Sequence, residues 1–352
     1  MPLTCSILSP PLSSRSSVER WTVPCERSRN STSRKAPSTA NGSAGAAKLA
    51  KPSLSTEEVL SFERKGHIQL NGLLTAPEVH QLAKHVDQAI SKRQLEALRH
   101  RVRVLVSEHE AKACRTVEDA KAALRRAHAE VGFLQFFNLW RHCSPLAAIS
   151  RDARLTAAAA QLLGVRKLRL YQDCVFVKWP GHAETSWHSD LRMAPFDTNS
   201  ALTAWIPFRA MKGKSDSGLQ FASGSHRDFA LPFWREASTA DLSSRGYHVT
   251  QPCRMEVGDV SFHHGWTLHT APPQPQQSQL RTALSITYFA DGARLLDSSD
   301  TSVRKSLHHQ EDLESYAGWV GDVVKGDVAR HELLPLVYPL QGSPRQTVKP
   351  RT

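Results

Sequence analysis

Up to about residue 163 the apolar positions recur every three to four residues, and from Lys167 they recur every second one. That change of period divides a helical block from a β block. Ser55-Thr56-Glu57-Glu58 forms a capping box in front of Val59, Leu60 and Phe62, with Gly66 as the stop. Ile68-Gln69-Leu70 reads as a brief strand. Thr75-Ala76-Pro77-Glu78 is a second capping box, with Val79, Leu82, Val86 and Ile90 at helical spacing behind it. Ser91 to Arg126 is charged and poor in aromatics, and reads as helix interrupted by mobile loop. Phe133 to Trp140 restores an apolar segment, for which packing is favoured over pocket lining. Ser150 to Leu163 predicts a helix capped by Ser150 and stopped by Gly164, with four consecutive alanines suited to close packing on a sheet.

In the β block, strict alternation places Leu168, Leu170, Gln172, Cys174, Phe176 and Lys178 on one face and Tyr171, Val175 and Val177 on the other. Both faces are largely apolar, as in a strand covered on two sides. Further strands are predicted at Ala201 to Phe208, Gly218 to Ala222, His248 to Thr250, Val257 to His263 and Arg281 to Phe289, separated by turn-rich segments such as Gly213 to Ser217. Many short strands after a helical opening predict a mainly β fold with flanking helices: a double-stranded β-helix, jelly-roll or cupin-like, behind N-terminal helices.

Composition adds boundaries. The 352 residues, 40% of them hydrophobic, can bury a large core. No apolar run approaches the roughly 20 residues of a membrane span. Six scattered cysteines form neither a disulfide framework nor a zinc knuckle. Residues 1–52 are rich in Ser, Arg, Ala and Pro and carry eight basic and two acidic residues, half of the formal net charge of +12. Such an acid-poor segment is expected to be disordered and to serve as an organelle transit peptide, for plastid or mitochondrion; without that role the location would be cytoplasmic. Since so much of the positive charge belongs to the tail, nucleic-acid binding is not indicated. The expected division is a tail at 1–52, a double-stranded β-helix domain with its N-terminal helices at 53–300 and a C-terminal extension at 301–352.

Candidate chemistry starts at Trp187-His188-Ser189-Asp190, where an imidazole and a carboxylate two residues apart share a face of extended chain. In a chain with 17 histidines such a pair is weak by itself. A second segment, Gly258 to His269, ends in another imidazole, and Arg281 follows twelve positions later. Two histidines and a carboxylate make the facial set that suits non-haem Fe(II) and leave three positions open on the metal. Arg281 offers a planar fork for a carboxylate, and Ala283, Ser285 and Thr287 on the same strand face are small enough to leave it room. His263 and His264 compete with His269 for the distal position, and His263 shares its parity if the strand is regular.

From about Ser55 to Asp297 the sequence resembles the phytanoyl-CoA dioxygenase family of Fe(II)- and 2-oxoglutarate-dependent oxygenases. The likeness rests on Leu170-Tyr171-Gln172 to Val177-Lys178, on His188-Ser189-Asp190, on Ser217 to His226, and on Gly258-Asp259-Val260 with His269 and Arg281, in that order. A departure stands after the distal histidine, where Ala271 and a Pro/Gln-rich loop, Pro272 to Gln279, replace the family's usual small hydroxyl residue and asparagine. The resemblance implies His188, Asp190 and His269 as iron ligands and Arg281 as the 2-oxoglutarate anchor. Gln172 and Lys178, which share a face of their strand, are candidates to hydrogen-bond the cosubstrate or a substrate carboxylate, with a solvated strand end as the other reading of Lys178, and Trp205 either walls the pocket or is plain core. The resemblance implies Fe(II) and 2-oxoglutarate, with ascorbate a candidate auxiliary reductant, and hydroxylation of a C–H in a small-molecule or lipid-like substrate by a monomer. His263 and His264 then take supporting roles. Asp190 favours hydroxylation over halogenation, since related halogenases replace this carboxylate with a small residue. Rival readings are a silent barrel that holds an acyl chain or other small ligand, and a zinc-type cupin hydrolase or isomerase. The C-terminal Lys349-Pro350-Arg351-Thr352 is not a peroxisomal signal, which makes a peroxisomal acyl-CoA role less attractive.

Overall fold

The computed structural model describes residues 53–228, 242, 245–296 and 322–339. The tail expected at 1–52 lies outside them.

Helix α1 (Thr56–Lys65) opens on the expected capping box, in which the Glu58 N–H donates to Ser55 Oγ at 3.2 Å and the Ser55 N–H donates to the Glu58 carboxylate at 2.7 Å. Gly66 closes it in the left-handed region, φ 78°, with its backbone so close to Thr267 that a Cβ would stand 2.3 Å from Thr267 Oγ1. Strand β1 (His67–Leu70) follows, then α2 (Ala76–Lys92), which buries Val79, Leu82 and Val86 behind its own box at Thr75. The charged stretch 91–126 is more helical than expected, forming α3 (Gln94–Leu105), α4 (Glu108–Ala113) and α5 (Val117–Arg126). The reason is local. Ser107 and Thr116 accept N–H donors as caps, and the sparse apolar residues Leu98, Val102, Ala120, Ala123 and Leu124 are all buried. Strand β2 (Leu134–Phe137) leads to α6 (Ser144–Ile149) and α7 (Ala153–Leu163). The cap of α7 is Asp152, not Ser150: the Asp152 carboxylate accepts the Arg154 N–H at 2.7 Å, while Ser150 ends α6 and its carbonyl accepts the Tyr288 hydroxyl at 3.1 Å.

The β block comprises β3 (Leu168–Lys178), β4 (Thr185–His188), β5 (Phe196–Asp197), β6 (Ala201–Pro207), β7 (Met211–Lys212), β8 (Gln220–Ser223), β9 (His248–Val249), β10 (Arg254–Met255), β11 (Val260–His264), β12 (His269–Ala271), β13 (Arg281–Ala290), β14 (Arg294–Leu295) and β15 (Leu336–Tyr338). A seven-stranded sheet runs β1-β11-β6-β13-β3-β15, with β2 also on β3, and a four-stranded sheet runs β4-β12-β8-β9; every pairing is antiparallel. This is the expected double-stranded β-helix behind N-terminal helices. The large sheet turns Leu202, Ala204, Ile206, Leu284, Ile286 and Tyr288 into the main hydrophobic core with the helices, and its alternate positions face the smaller sheet. Residues 322–339, within the expected C-terminal extension, supply β15 and the buried Ala329, Leu334 and Val337, so the fold reaches past residue 300.

Strict alternation fails at one point in β3. The register against β13 shifts between Thr287, opposite Gln172, and Tyr288, opposite Leu170, so Tyr171 is the extra residue of a bulge. Leu168 and Leu170 therefore join Val175 and Val177 in the helix-side core, while Tyr171 joins Gln172, Cys174 and Phe176 at the other face. Among the described residues no helix is long and apolar enough to cross a membrane.

Candidate metal centre and active-site cavity

The two distant parts of the motif meet through strand pairing. β12 lies against β4 with His269 directly opposite His188, although 81 positions separate them. Asp190 lies in the turn after β4, where its neighbour Leu191 is pinned by an N–H donated to the Gly265 carbonyl at 2.9 Å. The ligand-capable atoms of His188, Asp190 and His269 all lie within 4.8 Å of one another. His188 Nε2 is 3.9 Å and His269 Nε2 is 3.7 Å from Asp190 Oδ1.

Each ring is oriented from behind. His188 Nδ1 lies 2.8 Å from the Ser186 carbonyl, and His269 Nδ1 lies 3.0 Å from that of Thr267. A carbonyl only accepts, so Nδ1 carries the hydrogen and Nε2 presents its lone pair to the shared point. Asp190 is divided in the same way. Its Oδ2 accepts from Thr203 Oγ1 at 2.6 Å and lies 3.2 Å from His263 Nε2, which leaves Oδ1 toward the two imidazoles. Burial lowers the pKa of His188, although Asp190 opposes the shift, and lowers that of His269 further with the help of its histidine neighbours; both stay neutral. Burial by itself would raise the Asp190 carboxyl, but the His269, His263 and His188 imidazoles outweigh it and hold it below the usual carboxylate range. Two neutral imidazoles and one carboxylate are the protonation states a divalent metal needs.

Behind this cluster runs a polar row. His67, His263, Thr203, Thr287 and Gln172 stand opposite one another across β1, β11, β6, β13 and β3. All but His67 line a cavity of about 650 Å³ that also contains His188, Asp190 and His269. Thr203 and Thr287 are joined hydroxyl to hydroxyl at 3.1 Å. In the next row Cys174, Ser285 and Trp205 align, again facing the cavity.

Arg281, 4% exposed, opens β13 at the cavity wall with its guanidinium carbon 5.2 Å from the centre of the Trp205 ring. Nη1 donates to the Ser217 carbonyl at 3.0 Å, and Nε has no partner. Burial pulls it down only to about 10, so it remains a cation with an unused hydrogen-bonding edge. That edge fits a carboxylate. Gln172 and Trp205 both line the cavity, and Trp205 is core as well as wall. Lys178 departs from expectation. Although opposite Arg281 in register, it is fully buried and donates to the carbonyls of Ala183 at 2.9 Å, Pro272 at 3.0 Å and Ala271 at 3.4 Å. Burial, helped by repulsion from Arg281, brings it down to about 7. Its amine is satisfied by these three carbonyls, and Lys178 is absent from the cavity lining. Phe133, Gln135 and Phe137 face the cavity while Leu134 and Phe136 enter the core, so the apolar segment there does both jobs.

Sequence reasoning gave Thr203 no role, and Ser217 entered only as the first residue of the Ser217 to His226 motif. Thr203 stands two residues before Trp205, and only the register against His263 and Thr287 gives it a meaning. Ser217 holds a left-handed turn, φ 55°, that aims its carbonyl at Arg281.

The phytanoyl-CoA dioxygenase (PhyH) family model matches residues 62–283, well over half of the chain and all of the cluster just described. The chain belongs to the phytanoyl-CoA dioxygenase family. No curated protein matches it in sequence. Solved structures similar to this phytanoyl-CoA dioxygenase-family chain include the non-haem alpha-ketoglutarate-dependent carbocyclase SnoK of nogalamycin biosynthesis, with 20% identity, TM-score 0.58, and 80% of this chain and 96% of that one covered. The epimerase SnoN, in complex with Fe3+, alpha-ketoglutarate and nogalamycin RO, gives 18%, 0.54, 80% and 97%. EctD from S. alaskensis with 2-oxoglutarate and 5-hydroxyectoine gives 21%, 0.51, 69% and 78%. At these identities the likeness is one of fold.

Proposed function

We propose that this member of the phytanoyl-CoA dioxygenase family is an Fe(II)- and 2-oxoglutarate-dependent oxygenase that hydroxylates an unactivated C–H of a small-molecule or lipid-like substrate. The observation that carries the reading is one cavity holding both a neutral His, carboxylate, neutral His cluster and a buried arginine with an unpartnered Nε. His188, Asp190 and His269 would hold the metal and Arg281 the far carboxylate of the cosubstrate. When bound, the iron supplies dioxygen activation coupled to decarboxylation of 2-oxoglutarate to succinate and carbon dioxide.

The chain's own share is placement. Ser186 and Thr267 fix the ring tautomers, Thr203 and His263 hold Asp190 by one oxygen, and Ser217 holds Arg281 by Nη1 and leaves its Nε edge uncommitted. Trp205, Phe176 and Phe133 wall the cavity against water. Hydroxylation is favoured by the retained Asp190, although carbocyclase and epimerase activities are named for SnoK and SnoN on the same fold. Arg281 argues against a zinc-type hydrolase, which has no five-carbon diacid to anchor. The acid-poor residues 1–52 support import into a plastid or mitochondrion.

The test is anaerobic addition of Fe(II) and then 2-oxoglutarate to purified protein, followed by oxygen. A metal-to-ligand charge-transfer band and succinate release are expected, and neither should form with the H188A/D190A double variant. Absence of both in the wild type would leave the silent-barrel reading in possession.

A further inference from the structure

Arg101 is a second buried cation in the same cavity. It comes from α3, is 7% exposed, and lines the cavity wall with its guanidinium carbon 4.2 Å from the centre of the Phe133 ring. One Nη2 hydrogen goes to the side-chain oxygen of Gln135, itself buried, and Nε has no partner. Among the described residues no carboxylate approaches it; burial brings its pKa down to about 10, which leaves it charged. A buried charge without a counter-charge is unfavourable, and one neutral amide and one ring face do not replace an anion. If packing against Phe133 were all that was needed, an aliphatic side chain would serve at lower cost. An exposed Glu184 and a half-buried Arg192 are the other charged residues at the wall beyond the metal and Arg281 groups.

The charges around the metal balance without Arg101. A divalent ion on Asp190 leaves one positive charge, Arg281 adds a second, and 2-oxoglutarate brings two negative ones. The surroundings differ too, since Arg281 is set by Ser217 and Trp205, and Arg101 by Phe133 and Gln135, with no residue in common. We propose that Arg101 and Gln135 form the recognition point for an oxyanionic group on the substrate, a carboxylate or a phosphate ester. The inference rests on the oxygenase reading and adds the substrate's charge class: an organic anion whose apolar part lies against Phe133 and Phe176 while its oxyanion is held by the Arg101 fork.

The experiment uses full-length, Fe(II)- and 2-oxoglutarate-loaded protein without oxygen, and a fragment set built as matched triplets on common hydrocarbon frames: carboxylic acid, primary amide and phosphate monoester. Binding at millimolar concentration is read from the charge-transfer band and by saturation-transfer NMR. Acids, phosphate esters or both should bind where the amides do not, and the preferred arm names the source of the oxyanion. Arg101→Met should weaken that binding roughly 30-fold, the low end for truncating a buried charged partner, with 2-oxoglutarate affinity unchanged. Arg101→Lys, which keeps the charge, should recover part of it. Melting curves with and without metal screen both variants for folding; if the Met variant unfolds, Arg101→Gln takes its place. Equal binding of amides, anion binding indifferent to the substitution, or no anion binding to wild type would overturn the proposal. A loss confined to 2-oxoglutarate would do so as well, by making Arg101 a cosubstrate residue. Should the wild type show no charge-transfer band at all, the oxygenase reading fails instead, while the NMR arms still report on Arg101.

Discussion

Replacing Arg281 with lysine isolates one geometric claim, because the charge stays and the fork goes. In the protein Nη1 is committed to the Ser217 carbonyl, so a cosubstrate carboxylate is left the Nε edge and its adjacent Nη2. Two parallel charge-assisted hydrogen bonds are available there, each contributing about 1.5–3 kcal/mol in a buried site. Lysine can make one of them as a point contact, and it also gives up the Ser217 clamp that aims the group. The net loss is about 2 kcal/mol, roughly a 30-fold rise in the 2-oxoglutarate dissociation constant. Anaerobic titration of the Fe(II)-loaded variant, read from the charge-transfer band, measures it directly. Iron affinity should not change, since the metal cluster is held by Ser186, Thr267, Thr203 and His263 rather than by Arg281. A shift of less than about threefold would refute the reasoning, for it would mean that the carboxylate does not use the free edge.

Thr203→Val keeps the shape but removes the hydroxyl that holds Asp190 Oδ2 at 2.6 Å, and should weaken Fe(II) binding by roughly 10- to 100-fold in a competition assay with a fluorescent chelator; unchanged affinity would make that contact incidental. Asp173, buried in β3 with Oδ2 unpartnered, has its carboxyl raised to about 7 by burial, against the pull of the Trp140 N–H. Its folded pKa lies above the unfolded one, so the native state takes up the proton, and stability falls as pH rises from about 4 through 7, by at most on the order of 4 kcal/mol. Asp173→Asn should therefore raise the melting temperature relative to wild type more at pH 8 than at pH 5; an equal difference at both would remove the ionisation from the account. Residues 1–52 fused to a fluorescent reporter should direct it to a plastid or mitochondrion, and a diffuse cytosolic signal would withdraw the targeting claim.

What could be read in the sequence was whatever is local or periodic. The capping boxes at Ser55 and Thr75 are set by residues three apart, and both form as expected. The strands from Ala201 and Arg281 announce themselves by alternation, and both form. Three readings failed where a nonlocal choice decided. At Ser150 and Asp152 two competent caps stood two residues apart, and the short helix α6, ending at Ile149, left Asp152 to start the next. In β3 the bulge at Tyr171 reverses parity for Leu168 and Leu170, and nothing in Leu170-Tyr171-Gln172 marks it. Lys178 keeps the parity of Gln172, yet its long side chain turns to backbone carbonyls, those of Ala183 just past its own strand and of Ala271 and Pro272 more than 90 positions away. Arg101 was hidden in a charged stretch where one cation in a helix looks like every other.

The polar row from His67 to Gln172 explains why so much of the site depends on apolar residues that never touch it. Each member is separated from the next only by a strand pairing, so the row exists in one register of β1, β11, β6, β13 and β3. A slip of β13 by one residue would bring Leu284 and Ile286 to the cavity in place of Ser285 and Thr287, and would turn Arg281 away from Ser217. It would also pull Leu284, Ile286 and Tyr288 out of the helix-side core, where all three are fully buried, at about 1.5–3 kcal/mol each. The hydroxyl on Asp190 and the guanidinium on Ser217 are thus held in place by a cost charged on the opposite face of the sheet. Thr203 and Thr287 hydrogen-bond each other at 3.1 Å, a modest contact that could not by itself choose between registers. Selection for a well-packed core therefore aligns the metal-site supports as a by-product, and substitutions at Leu284 or Ile286 that shift β13 are expected to disturb the site without contacting it.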